Sequence, residues 1–275
     1  MISGSSGQIA LVGRPAGRFA ARVQGWALPA AIFLGALAAW ELVVRVLGLK
    51  QFILPSPVAI ANATVTYFPE LWSSARYTAV EIVGGLLIGV VAGLLVGAIT
   101  ARFAVLRESL LPFGIAANSV PIIAFAPLFN NWFGIDKQLS KAMVAAVLVF
   151  FPVMINTVRG LRNVDPAALE LMRSYAAGEL QVFRRVRVPA SLPFVFTALR
   201  IATTLATIGA VIGEYFGAPA LSLGQYIARN MSYLAVERSW AAIVFASAIG
   251  IALYLGVVVL ERLVMPWAAA RASER

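Results

Sequence analysis

Six apolar stretches alternate with polar segments along the chain: Trp26–Leu47, Tyr77–Thr100, Leu111–Phe133, Leu139–Val158, Phe194–Phe216 and Trp240–Leu260. Each reaches about 20 residues, the length an α-helix needs to cross a bilayer. The pattern predicts an all-α polytopic membrane protein with six transmembrane helices. The third stretch is the most diluted, because Asn118, Asn130 and Asn131 fall within it and Pro121 and Pro127 interrupt it. Trp26, Trp240 and Trp267 sit beside span ends, where amphipathic rings favour the headgroup region.

Residues 1–25 are rich in Gly and Ser and then basic through Arg14, Arg18 and Arg22. A signal peptide would carry an apolar region of about 7–15 residues. The stretch that follows is longer, so it reads as a retained first helix behind a disordered basic tail. With that tail inside, the arginines of 102–107, 159–187 and 262 fall on the same side. Lys50, Arg76, Lys137, Lys141, Arg229 and Arg238 fall on the other. This positive-inside bias predicts that both termini are cytoplasmic. The expected organisation is a tail over 1–25, a first helix and outer loop over 26–76, a transmembrane core over 77–266 and a cytoplasmic tail over 267–275.

Composition narrows the function. Hydrophobic residues make up 61% of the 275 positions and charged residues 12%, against about 45–50% and about 25% in soluble domains. The chain has no Cys and no His, which removes disulfides, thiolate chemistry and the commonest general base and metal ligand. No catalytic residue, metal or cofactor is therefore expected. The net charge of +10 reads as membrane orientation rather than nucleic-acid binding.

One connection is more than a turn. Between Val158 and Phe194 lies RGLRNVDPAALELMRSYAAGELQVFRRVRVPASLP. Asp165 suits a helix N-cap and Pro166 the first helical position. Leu169, Met172 and Ala176 then recur at helical spacing, as do Leu180, Phe183 and Val186. Gly178 is expected to separate two short helices, and Pro189 and Pro193 to end the second before the fifth span. Three surfaces suit such amphipathic helices: the membrane, the protein's own bundle or another protein. Arg184, Arg185 and Arg187 fit the first through anionic lipid.

Inside the spans, Gly85, Gly89, Gly93 and Gly97 recur every four residues and share one helix face, which permits close backbone approach. That face is expected to pack within the chain in preference to across a dimer. Pro121 and Pro127 leave carbonyls without donors, which points either to a broken helix lining a path or to a tolerated kink. Glu81 and Arg200 lie near predicted span ends, where snorkelling explains them. Glu214 lies near the outer end of the fifth span, and an interfacial position is favoured over an exit-side lining. Glu41 and Arg45 have the spacing of an intrahelical ion pair.

An ion-gradient-driven secondary transporter is the main alternative, but no internal repeat and no mid-span carboxylate is evident. A membrane-embedded enzyme lacks its usual groups. A scaffold would leave a partner ATPase unchanged. The chain also has no G-x-x-x-x-G-K-[ST] phosphate loop, so ATP-driven transport would require a separate ATPase.

The long connection resembles the loop that marks permeases of binding-protein-dependent ABC importers. Anchored on Val186–Pro189, the family pattern places its Glu at Glu170 and its Gly at Ala176. Leu171 and Met172 replace the two family alanines, and Gly178 is expected to supply the turn in place of the missing glycine. Glu170-Leu171-Met172-Arg173 is similar to the nitrate, sulfonate and taurine branch. Two further stretches, Pro121–Ile135 and Gly213–Gly217 with Leu223–Ile227, resemble the third span and the fifth span with its outer loop in that branch. The resemblance covers roughly Tyr77 to Pro266.

This resemblance implies the type I ABC importer permease fold, with cytoplasmic coupling helices between spans four and five, in a bacterial inner membrane. Glu170 would anchor the coupling loop, and Leu171, Met172, Arg173, Tyr175, Ala176, Ala177 and Gly178 would form its contact surface. Pro121, Pro127 and Glu214 are candidates to line the path. The implied partners are an ATP-binding cassette ATPase, an extracytoplasmic solute-binding protein and a second permease chain, in a homodimer. The implied cargo is a small polar or anionic nutrient such as a sulfonate, nitrate or a pyrimidine-like vitamin precursor.

Overall fold

The computed structural model of the protein describes residues 17–117 and 124–266. These residues are helical, with no β-strand among them. Pro121, Asn118, Arg14 and the expected C-terminal tail with Trp267 lie outside the described residues. The chain divides into two compact units, residues 1–58 and 59–275.

The first unit is built on helix α1 (Gly17–Val46). It starts ahead of Trp26, so the last part of the predicted disordered tail is helical. From Ala27 to Val46 it is apolar and long enough to cross a membrane. Gly48, at φ +59°, ends it. The Gly48 N–H donates to Arg45 O at 3.2 Å and the Leu49 N–H to Val44 O at 3.0 Å, a Schellman closure that needs a left-handed residue. Arg45 Nε donates to Glu41 Oε1 at 2.6 Å, the expected pair, and the Val58 N–H donates to Glu41 Oε2 at 3.2 Å. One carboxylate thus holds both its own helix and the chain that follows.

The second unit is organised around α6 (Gln138–Arg162), the most buried of the long helices. On one side lies α3 (Phe68–Arg102) and on the other α9 (Val188–Tyr215). The glycine stripe of α3 faces α6 at backbone distance. A Cβ on Gly85 would stand 2.5 Å from Ala142 O, one on Gly89 2.6 Å from Ala146 O, and one on Gly93 2.9 Å from Phe150 O. At Gly97 it would meet Thr157 Cβ at 2.8 Å. Helix α6 also packs against Ala198, Ala202, Ala206 and Ala210 of α9, all fully buried. Small residues on both flanks let three backbones approach closely, and dispersion between them takes the place of a hydrophobic driving force that lipid does not supply. Helix α11 (Val236–Val264) packs against α9 and α3.

The two ends of this core differ. One carries α2 (Pro57–Thr66), α5 (Phe125–Phe133) and α10 (Leu223–Ser232). There Ala63, Leu71, Ala75, Leu223, Tyr226 and Ala242 form a buried cluster. The other carries α4 (Ala104–Ala117), α7 (Pro166–Ser174) and α8 (Glu179–Val182).

One span expectation changes, and one falls partly outside the described residues. The helices long and apolar enough to cross a membrane among the described residues are Ala27–Val46, Phe68–Arg102, Gln138–Arg162, Glu179–Tyr215 and Val236–Val264. The third stretch crosses residues 118–123, which lie outside the described residues, and it is helical on both sides of them, in α4 as far as Ala117 and in α5 from Phe125. Pro127 sits in the first turn of α5, where the absent N–H would have had no intrahelical partner. The second span begins at Phe68 instead of Tyr77. At about 1.5 Å per residue its 35 residues outrun a hydrocarbon core of about 30 Å, which accommodates the polar first turns that hydropathy assigned to a loop.

Gly89→Ala should lower the thermal midpoint of the detergent-purified chain, with an overpacking cost of about 1–3 kcal/mol. Gly256→Ala in α11, where a Cβ meets nothing within 4 Å, should leave it unchanged or raise it slightly. Equal effects of the two would contradict the packing described for α3 and α6.

Candidate functional site

Two regions carry unusual chemistry, one at each end of the core. At the first, helix α7 is capped as its sequence dictates. Asp165 Oδ1 accepts from the Ala167 N–H at 3.0 Å, and Pro166 occupies the first turn. The helix closes at Tyr175, where the Ala176 N–H donates to Arg173 O at 2.9 Å and the Ala177 N–H to Met172 O at 3.0 Å. This is again a Schellman closure, and its left-handed residue is Ala176, at φ +50°. Gly178, expected to supply the turn, instead has φ −69° and acts as the N-cap of α8. The strain falls on the alanine because closure geometry fixes which position must be left-handed, and that position is occupied by a residue with a Cβ.

The α7–α8 segment has no buried residue. Leu171 is 57% exposed, Tyr175 75% and Leu180 61%. Glu170, Arg173, Ala176 and Gly178 are also exposed, while Met172 and Ala177 are half-buried. The second short helix does not stop at Pro189. It runs through a wide π-turn, Phe183–Arg187, straight into α9, with the Val188 N–H donating to Phe183 O. The widened turn, together with the place of Pro189 in the first turn of α9, lets the chain continue where an α-helical register would clash with the ring. Residues 179–215 thus form one continuous rod. Arg187 Nη1 also donates to Leu161 O at 3.4 Å, which links the π-turn to the end of α6.

At the opposite end lies a buried polar cluster. Glu214, expected at the interface or along the exit side, is fully buried near the end of α9. Its Oε1 accepts from Thr78 Oγ1 at 2.6 Å and its Oε2 from the Gly224 N–H at 2.7 Å. Thr78 Oγ1 in turn accepts from the Leu223 N–H at 3.0 Å, and Gln225 Nε2 donates to Glu214 O at 3.1 Å. A carboxylate therefore caps the first turn of α10, where backbone N–H groups and the helix dipole favour negative charge. The contact requires a glycine, since a Cβ on Gly224 would stand 2.5 Å from Glu214 Cβ.

Glu81 and Lys141 complete the cluster, and both overturn their sequence assignments. Glu81 is 1% exposed and faces Glu214, because α3 begins at Phe68 and carries Glu81 well inside the helix. Lys141, counted among outer-loop residues, is fully buried in α6, where its Nζ donates to Ile135 O. Two carboxyls and one ammonium removed from water are tolerable only as a group. Arg200 pairs with Glu261 of α11 rather than snorkelling alone. Asn130 Nδ2 donates to Gly217 O at 3.5 Å, so two motif-bearing stretches distant in sequence meet at this end. No group of His, Cys, Asp or Glu suited to a metal is found among the described residues.

Residues 85–266 match the family described as binding-protein-dependent transport system inner membrane component. The chain is 33% identical over 240 residues to the formylaminopyrimidine transport permease protein ThiX of Halalkalibacterium halodurans, covering 87% of this chain and 95% of the relative. It is 32% identical over 259 residues to the putative aliphatic sulfonates transport permease protein SsuC of Escherichia coli, covering 92% and 95%. Its fold is that of a chain in the inward-facing MetNI methionine ABC transporter, with a TM-score of 0.61 at 19% identity, covering 72% of this chain and 98% of that one.

Lys141→Met should destabilise the purified chain by about 1–3 kcal/mol, because it leaves Ile135 O without its donor and removes a positive charge that acts on Glu81 and Glu214, and a thermal-unfolding midpoint reads the loss. Ala176→Gly should do the reverse, gaining about 1 kcal/mol from relief of a left-handed alanine. A neutral result for Lys141→Met would mean that the ammonium does not offset the carboxyls.

Proposed function

Since the chain belongs to the family of binding-protein-dependent transport system inner membrane components, we propose that it forms half of the path of an ABC importer and couples to a separate ATPase through α7 and α8. Its sulfonate/taurine-type relatives are ABC importer permeases, and it is a multi-pass membrane permease of that type. The observation that carries the coupling reading is the exposed apolar surface of Leu171, Tyr175 and Leu180 on a segment fixed to the core at both ends. A soluble loop seldom presents large side chains in this way without a partner.

The geometry supplies a mechanical route. A partner gripping α7–α8 moves a rod that continues unbroken into α9. At the far end of that rod Glu214 holds the first turn of α10. Closure of the ATPase at one end would therefore reposition α10 at the other, a rigid-body transmission along packed helices. In this arrangement the α7 end and both termini are cytoplasmic, and the α10 end meets the extracytoplasmic binding protein. A second copy of the chain completes the path. The cargo is a small polar or anionic nutrient, in keeping with relatives named for aliphatic sulfonates, taurine and formylaminopyrimidine.

The buried carboxyls remove one argument against an ion-gradient-driven transporter, namely that none lies within a span. Family membership now carries that distinction instead.

Glu170→Ala and Ala177→Glu, each reconstituted with the ATPase and the binding protein, should retain membrane insertion and basal ATP hydrolysis. Stimulation by loaded binding protein should fall by about tenfold, a typical coupling free energy. Normal stimulation and transport in both variants would overturn the coupling assignment.

A further inference from the structure

A cleft of about 640 Å³ opens at the α7 end, away from the buried cluster, and is lined in part by Leu169, Leu180 and Phe183 of the coupling segment. Arg102 of α3, Arg107 of α4, Arg162 of α6 and Arg187 of the π-turn line it, and Glu179 is the acidic residue among them. The remaining lining is apolar and includes buried Leu161 and exposed Leu180. The acid does little to offset the arginines: Arg102 Nη2 stands 3.8 Å from Glu179 Oε2, and both side chains are largely exposed. Arg107 makes its own long contact of 3.8 Å with Glu108. Four guanidinium groups around one concavity repel each other, and an anion inside it would relieve that repulsion.

The surroundings of the cleft distinguish between anions. It lies where α3 and α6 terminate, at Arg102 and Arg162, and so at the depth of the headgroup layer. Leu95 and Ile99 precede Arg102 by seven and three residues, which puts the three on one stripe of α3. Both are more than half exposed, as is Phe103 just beyond. An apolar track therefore runs from the cationic rim along the outside of α3 toward the middle of the bilayer. Inorganic phosphate would satisfy the arginines and leave the track bare. A molecule with a phosphate head and acyl tails covers both.

We propose that this cleft binds the phosphate-bearing headgroup of an anionic phospholipid, whose acyl chains lie along Leu95 and Ile99. Guanidinium pairs phosphate oxygens through a planar fork of donors, which suits arginine to this task better than lysine. The bound lipid spans α3, α4, α6 and the π-turn, and so braces the root of the coupling rod against the core.

The test titrates phosphatidylglycerol and phosphatidylcholine onto the full chain, purified in a neutral detergent, and counts retained lipids by native mass spectrometry. The wild type should retain phosphatidylglycerol in preference to phosphatidylcholine. Arg107→Gln with Arg162→Gln should weaken phosphatidylglycerol binding by about thirtyfold, with both variants monodisperse on size exclusion. Arg184→Gln with Arg185→Gln removes the same charge from outside the cleft and should change it by less than about twofold. Equal loss in the two double variants would overturn the proposal in favour of diffuse surface attraction. Displacement of the lipid by millimolar inorganic phosphate would overturn it in favour of a free-anion site. Unchanged lipid binding with loss of the ATPase from the complex would overturn it in favour of a protein docking surface.

Discussion

Backbone contact between α3 and α6 is the constraint from which the rest of the core follows. With no side chain on Gly85, Gly89, Gly93 or Gly97 the two helices meet carbonyl against Cα, and the alanine face of α9 packs against α6 as well. Three helices at such separation behave as one body, because sliding any of them would drive methyl groups into backbone. That rigidity gives the two ends of the core something to act through. It also sets the burial of Thr78 and Glu81, which share the glycine face two turns and one turn before Gly85 and are carried into the interior with it.

The charged cluster can be read as the polar continuation of that apolar seam. Glu214 accepts from the Gly224 N–H of α10, Thr78 bonds both Glu214 and the Leu223 N–H, and Lys141 of α6 adds a buried ammonium at the same end. Helices α3, α6, α9 and α10 each contribute to it. A cluster of this kind ties separate helices into a single arrangement more sharply than apolar packing does, since a small displacement strands a buried charge. At the other end the structure is the reverse: α7 and α8 are exposed, apolar on the surface and held by caps and by the π-turn rather than by burial.

Much of this was legible in the sequence where one local rule decides the outcome. The four-residue glycine period, the Asp165 cap, and the Glu41–Arg45 spacing each depend on nearest neighbours along one helix. The polar cluster was not read, because span limits taken from hydropathy began at Tyr77 and Leu139 and so left Glu81 and Lys141 near span ends. A signal was present: Glu81 lies four residues before Gly85 and Lys141 four before Ala145, so each shares the face that those small residues bury. The third stretch runs through residues 118–123, outside the described residues, and is helical in α4 and α5 on either side of them. Ala176 and Gly178 show the remaining limit. The spacing of the family motif located the left-handed position, whereas residue type pointed to the wrong one.

The central claim is that α7 and α8 meet the ATPase while α10 faces the other side of the membrane. Because the chain has no native Cys, a single cysteine at Tyr175, 75% exposed, can be compared with one at Tyr233, 76% exposed at the α10 end. In the assembled transporter, a thiol-directed photocrosslinker at position 175 should capture the ATPase subunit, and the same reagent at position 233 should not. Capture at 233, or none at 175, would contradict the account.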